Sequence, residues 1–246
     1  MLPNSPFSVG LAPVTGHRRI EEKTGPHEIL RAMYAALLAA YGSRQWWPAD
    51  TPFEVVLGAF LTQATAWRSV ERSIANLRDA GLLSVESIRD ISEEALRELI
   101  RPSGFIVRKA ASIKTFIHFL DQHYSGSLDE MAAQPTATLR PQLLALPGVG
   151  PETADAILLY ALGHPAFVVD EYLRRVATRH ELVDENARYA ELQSLGDRAV
   201  ASETREETVR HANELHALIV EVGKRHCGTN PRCQGCPLEP FLPKYR

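Results

Sequence analysis

The chain lacks the features that would place it outside the cytosolic globular proteins. Cysteine is scarce: the 246 residues hold three, all within the last twenty positions, as Cys227, Cys233 and Cys236. A disulfide framework would spread its cysteines along the chain, so this crowding points to a metal site instead. No apolar run reaches the ~18–20 residues of a membrane span, and the opening MLPNSPFSVGLAPVTGHRRI lacks the basic-then-apolar order of a signal peptide. A cytoplasmic protein with no membrane partner is the expectation. Charge of one sign is also missing: 27 basic and 30 acidic residues leave a net −3, so any site for a polyanion must be built locally. Hydrophobic residues at 45% and charged ones at 23% are the globular mixture, which excludes a disordered chain.

Period-two alternation is absent as well. Residues 1 to 27 carry Pro3, Pro6, Pro13, Gly25 and Pro26 and read as an irregular lead-in. From there Leu30, Met33, Tyr34, Leu37, Leu38 and Tyr41 recur at the three-and-four spacing of one helical face. Helical patterns follow at Phe53 to Thr62, Thr65 to Arg78, Ser92 to Ile100 and Ile106 to Tyr124. Ala166 to Val169 is the best β-like run, and at four residues it reads equally well as a buried connector. The expected class is all-α, with no repeat and no low-complexity tract.

Leu139 to Pro165 reads as helix, tight turn, helix around LPGVG. Gly148 and Gly150 permit a turn whose successive amides face outward, and Pro151 suits a first helical position, where no amide hydrogen is needed. Such a turn, with the helix start behind it, can hold a phosphate without basic side chains. An ordinary helix–helix turn has the same residues. Twenty positions after Gly150 comes Asp170, opening the amphipathic segment EYLRRVATRH. An aspartate there is commonly only a cap.

Taken together, LPGVGPETADAILLYALGHPAFVVDEYLRRVATR, LTQATAW around Gln63, SGFIVRKA around Gly104 and the cysteine tail resemble the endonuclease III superfamily of DNA glycosylases, in one order from about residue 30 to 240. The resemblance implies two interleaved helical lobes. One is a helical barrel over 44–164 containing a helix-hairpin-helix at 139–162; the other combines 1–43 with 165–246 and carries Asp170 and the cysteine loop. It makes Asp170 the carboxylate facing the sugar of an extruded nucleotide, where it stabilises positive charge developing on the deoxyribose and orients or deprotonates water. Gly148, Val149 and Gly150 would grip the backbone of damaged DNA. Gln63, with Phe105, would stand where the flipped base has left the stack. For Gln63, an amide capping a neighbouring helix remains an equal alternative.

Bifunctional members of the superfamily place a Schiff-base lysine at the position of Glu152. A carboxylate cannot form a Schiff base, so strand-cutting lyase activity is not expected. Glu152, the WWP at Trp46 to Pro48 and the RPSGF at Arg101 to Phe105 resemble the 3-methyladenine DNA glycosylase III branch, which removes alkylated purines. Cationic alkylpurines suit indole faces, and the three tryptophans, Trp46, Trp47 and Trp67, lie in one stretch. Trp46 and Trp67 are the expected sandwich, with Lys224 a further pocket residue or a solvated helix-end lysine.

Iron–sulfur members hold their cluster on four cysteines. Here there are three, with five and two residues between them, and Leu242 occupies the place of a fourth. A [4Fe–4S] cluster on Cys227, Cys233 and Cys236 is expected, with His226 and Glu239 as nearby candidates for the missing ligand; zinc or free thiols are the alternatives. No obligate protein partner is implied. Rival readings are an endonuclease III-like enzyme for oxidised pyrimidines or uracil, and a non-catalytic binder of damaged DNA.

Overall fold

The computed structural model describes residues 25–44 and 49–243, and every regular element among them is helical. The first helix, α1 (Pro26–Tyr41), begins at a proline whose missing amide hydrogen costs nothing there, and buries Leu30, Met33 and Leu37. Leu38 stays 37% exposed, so the stripe expected from sequence is one residue too wide. Helix α2 (Pro52–Leu61) is apolar on all sides and buried along its whole length after Pro52, as such a helix must be. Around it come α3 (Trp67–Asp79), α4 (Val85–Asp90), α5 (Glu93–Leu99) and α6 (Ile106–Tyr124). The amphipathic α3 turns Val70, Ile74 and Leu77 inward, and α6 does so with Ile113, Phe116, Ile117 and Leu120.

Two short helices were not legible in the sequence. Helix α4 and α7 (Leu128–Ala132) have six and five residues, too few to display a period, and are nucleated by Ser84 and Ser127, whose side chains accept the amides of Ser87 and Glu130.

The expected hairpin is present as α8 (Thr136–Leu144) and α9 (Pro151–Ala156), with one departure. The second arm is not a single α-helix: it widens into a π-helical turn over Ile157–Ala161. Residues 163–169 are an extended connector with Phe167, Val168 and Val169 buried and no strand pairing, which settles the ambiguity at Ala166 to Val169.

The chain then forms α10 (Glu171–Arg179), α11 (Tyr189–Val200) and α12 (Arg205–Arg225). Helix α1 packs on α11 and α12, and α10 lies along α12. That last contact is close because Gly223 has no side chain; a Cβ there would come within 2.2 Å of the Tyr172 ring. Helix α12 meets the other elements through the π-helical turn, which also packs on α2. No described helix is long and apolar enough to cross a membrane.

Candidate active site and DNA interface

The hairpin turn is shaped by Gly148, whose φ of +82° is open to glycine and strained for other residues. A Cβ at that position would also lie 2.2 Å from the Ser112 hydroxyl. Gly148 and Gly150 are exposed, whereas the Val149 side chain is buried, so that residue offers an incoming strand only its backbone. Gln63 Nε2 donates to the Gly148 carbonyl at 2.9 Å and to Thr153 Oγ1 at 3.0 Å. Its amide thus clamps the loop after α2 to the hairpin.

Phe105 stands beside this loop at 62% exposure, with left-handed φ of +48°. A bulky residue rarely holds that conformation, and such strain persists only where the surroundings impose it. The surroundings here include Lys109, which sequence reasoning passed over. It is 1% exposed, and its Nζ donates to the Leu61 carbonyl (2.8 Å), Thr65 Oγ1 (2.7 Å) and the Ser103 carbonyl (2.8 Å). The Gln63 loop and the Phe105 loop are therefore pinned to one ammonium group. Burial, and secondarily Arg108, pushes its pKa down to about 8.

Asp170 is the N-cap of α10. Its Oδ1 accepts the Leu173 amide at 2.8 Å, and its Oδ2 faces His216 Nε2 of α12 at 3.7 Å. The cap alternative is thus realised with one oxygen, and the other is turned toward α12. His216 Nδ1 lies 2.5 Å from the hydroxyl of Tyr160 in the π-helical turn. Glu152, at the head of α9, is surface-exposed but crowded on its inner side; burial and then the Asp170 charge raise its carboxyl to about 7. Four elements thus bring Glu152, Tyr160, Asp170 and His216 together. No sequence signal pairs His216 with Asp170, since they stand 46 positions apart on different helices.

Of the other expected pocket residues, Trp67 and Lys224 are described. Trp67 opens α3, is partly buried against the core, and donates from Nε1 to Glu71 at 2.8 Å. Trp46 and Trp47 lie outside the described residues. Lys224 is exposed in the last turn of α12, eight positions and so about 12 Å along the axis from His216.

Cys227, Cys233 and Cys236 line one small cavity of about 20 Å³, together with His180, His226, Glu239 and Leu242. Arg179 donates to Cys227 Sγ at 3.0 Å and to the carbonyls of Gly228 and Thr229 at 2.8 and 3.1 Å. Among the described residues no three His, Cys, Asp or Glu side chains converge tightly enough to hold a single ion. The wall where a fourth thiolate would stand is Leu242. Glu239 is engaged by the Gly235 amide at 3.0 Å, and His226 Nδ1 lies 3.1 Å from the Arg232 carbonyl.

Comparison with known proteins places this geometry in a family. The model of the HhH-GPD superfamily of base excision DNA repair proteins matches residues 57–201, from α2 through the hairpin and Asp170 to the end of α11. The chain belongs to that superfamily and is a DNA glycosylase. It is 41% identical over 221 residues to a Methanocaldococcus jannaschii protein assigned by name to the DNA repair glycosylases, covering 89% of this chain and 98% of that one. Among solved structures, the H. pylori 3-methyladenine DNA glycosylase bound to 1,N6-ethenoadenine aligns with TM-score 0.68 and 30% identity, over 82% of this chain and 98% of the other. A trapped endonuclease III–DNA covalent intermediate aligns with TM-score 0.72 over 88% of this chain and 95% of the other, at 22% identity, a likeness of fold.

Proposed function

We propose that the chain is a monofunctional glycosylase that hydrolyses the N-glycosidic bond of alkylated purines such as 3-methyladenine. The observation that carries this reading is Glu152 in the first turn of α9, where a lyase would need an amine, close enough to Asp170 at the head of α10 for that charge to help raise its carboxyl. Asp170 Oδ2 would face the sugar. An N-alkylated purine already carries positive charge and leaves readily, so the carboxylate's task is to stabilise the oxocarbenium-like transition state and orient water. The solved 3-methyladenine glycosylase above supports the substrate class. Trp46, Trp47, Trp67, Glu152 and Lys224 are assigned to a base pocket between the helical barrel of 44–164 and the lobe formed by 1–43 with 165–246. Indole faces would hold a cationic ring. Gly148, Val149 and Gly150 would grip a phosphate through backbone amides, and the exposed Phe105 ring would enter the stack as the base leaves it, with Gln63 released from the hairpin to help fill the gap.

The strand should stay intact. Borohydride added during turnover is expected to trap no covalent protein–DNA adduct, with nicks appearing only after alkali or heat. A robust adduct would overturn the hydrolytic reading and make Lys224 the first lysine to test.

The three thiols are assigned to a [4Fe–4S] cluster, with Arg179 donating to the Cys227 sulfur and the fourth ligand supplied from the His226 and Glu239 side of the cavity. Such a group would brace the loop after α12. Protein purified anaerobically with ample iron should be yellow-brown, with broad absorption near ~400 nm from thiolate-to-iron charge transfer. A colourless preparation containing no iron would remove the cluster.

A further inference from the structure

We propose that His216 and Tyr160 form a positioning chain behind Asp170: the Tyr160 hydroxyl fixes the imidazole tautomer, and His216 Nε2–H holds the second oxygen of Asp170 toward the reacting sugar. The proposal rests on the reading of Asp170 as the carboxylate that acts on substrate.

The argument starts from donors and acceptors. Tyr160 O–H and His216 Nδ1 are 2.5 Å apart, so one of the two donates to the other. Burial, and secondarily the Asp170 charge, raises the Tyr160 phenol well above its ordinary range, so it keeps its proton and donates. Burial lowers the His216 imidazole, against a smaller opposing pull from Asp170, so the ring is neutral at physiological pH. A neutral imidazole that accepts at Nδ1 must carry its single hydrogen at Nε2. That nitrogen is the one facing Asp170 Oδ2 at 3.7 Å. The gap exceeds a hydrogen bond, as catalytic contacts commonly do before substrate closes the site.

The division of labour on Asp170 follows. Oδ1 is held by the Leu173 amide of its own helix, and Oδ2 faces a ring carried by another helix, so both oxygens have fixed neighbours. His216 itself is 6% exposed in the middle of α12, which packs on α10, α11, α1 and the π-helical turn. The titratable groups that bear on the chain from those elements are Glu152 and Tyr160 on the hairpin side and Asp170 on α10. Beyond them stand Tyr189 of α11, which feels Asp155 and Glu152, and Tyr34 of α1, bonded to His211. Glu152, raised to about 7, is the member that takes up a proton near neutrality.

The test uses the full chain with ring-¹⁵N-labelled histidine and compares wild type with Tyr160→Phe, His216→Phe and His216→Gln. The wild-type ring is expected to show the neutral Nε2–H tautomer from pH 6 to 8, and Tyr160→Phe should lose that fixed tautomer and titrate within the range. In single-turnover base release, His216→Phe should be slower by at least about tenfold with duplex affinity unchanged. His216→Gln, whose amide nitrogen reaches roughly where Nε2 stood, should restore most of the rate. Tyr160→Phe should shift the pH profile. An Nδ1–H or cationic ring in the wild type at neutral pH would overturn the proposal, as would equal rates for His216→Phe and wild type. A loss that His216→Gln does not rescue, with affinity falling in parallel, would reduce His216 to a packing residue and also overturn it. If the wild type releases no base from any duplex, the functional reading fails, while the ring spectra still decide the tautomer.

Discussion

Replacing Asp170 with Asn is expected to slow base release by a factor of ~10² or more while leaving the melting temperature close to that of the wild type. The two halves of that expectation come from the two oxygens of one side chain. Asn keeps an oxygen that can accept the Leu173 amide, and asparagine is as good an N-cap as aspartate, so α10 should still start where it does. What disappears is negative charge at Oδ2, beside His216, where a forming sugar cation would sit. Base release near the wild-type rate in a folded variant would show that Asp170 is a cap and nothing more. A rate loss accompanied by a large drop in melting temperature would make the effect one of folding.

The largest stability effect is expected away from the reacting groups, at Arg140. Its guanidinium binds Asp155 through Nε at 2.7 Å and Nη2 at 3.0 Å, and Nη2 also reaches Gln193 at 3.1 Å. Gln193 in turn donates to Asp155 at 2.7 Å and to the Phe167 carbonyl at 3.2 Å. Asp155 is fully buried, so Arg140→Met leaves its carboxylate with only neutral partners, the Gln193 amide and the Tyr189 hydroxyl, and removing the charged partner of such a pair costs ~3–5 kcal/mol. Because this network ties both arms of the hairpin to α11 and to the connector leading into Asp170, DNA affinity should fall with stability. Chemical denaturation measures the first and a duplex titration the second. The double variant Arg140→Met with Asp155→Leu, which leaves no charge stranded, should recover much of the loss. A stability change below about 1 kcal/mol for Arg140→Met would mean that water reaches Asp155 and the pair is ordinary surface charge.

What was readable in the sequence divides along physical lines. All-α architecture follows from long apolar stripes in α1, α3 and α6, where packing and propensity agree. Helix α11 escaped notice because its inward face uses Leu192, Leu195, Gly196, Ala199 and Val200, a stripe partly made of small residues. The π-helical turn escaped because a widened turn has no periodicity of its own, yet it is what carries Tyr160 to His216. The Asp170 cap was legible because a helix start is local, whereas a catalytic role for it came only from the family resemblance. Tyr160 and His216 were not legible beside it, since they meet Asp170 and Glu152 only when four elements pack. Gln63 shows the limit from the other side: its motif suggested a DNA contact, and the structure gives its amide two partners on the hairpin. The cysteine tail read as a cluster loop up to Leu242, and the structure gathers its three thiols with Leu242 around one small cavity, while among the described residues no three His, Cys, Asp or Glu side chains are placed to hold an ion.

The central claim is that Asp170, with Glu152 standing where a lyase would carry its lysine, releases alkylated purines with water and leaves the backbone whole. Its most direct test incubates the full chain with three matched duplexes, one methylated, one containing uracil and one containing an oxidised pyrimidine. Freed bases are quantified by chromatography and strand length by denaturing gel. Release of the methylated purine at least about tenfold faster than either other base, with full-length strands carrying abasic sites, is the predicted result. Faster release of uracil or an oxidised pyrimidine, strand scission without alkali, or binding to damage with no base released would contradict it.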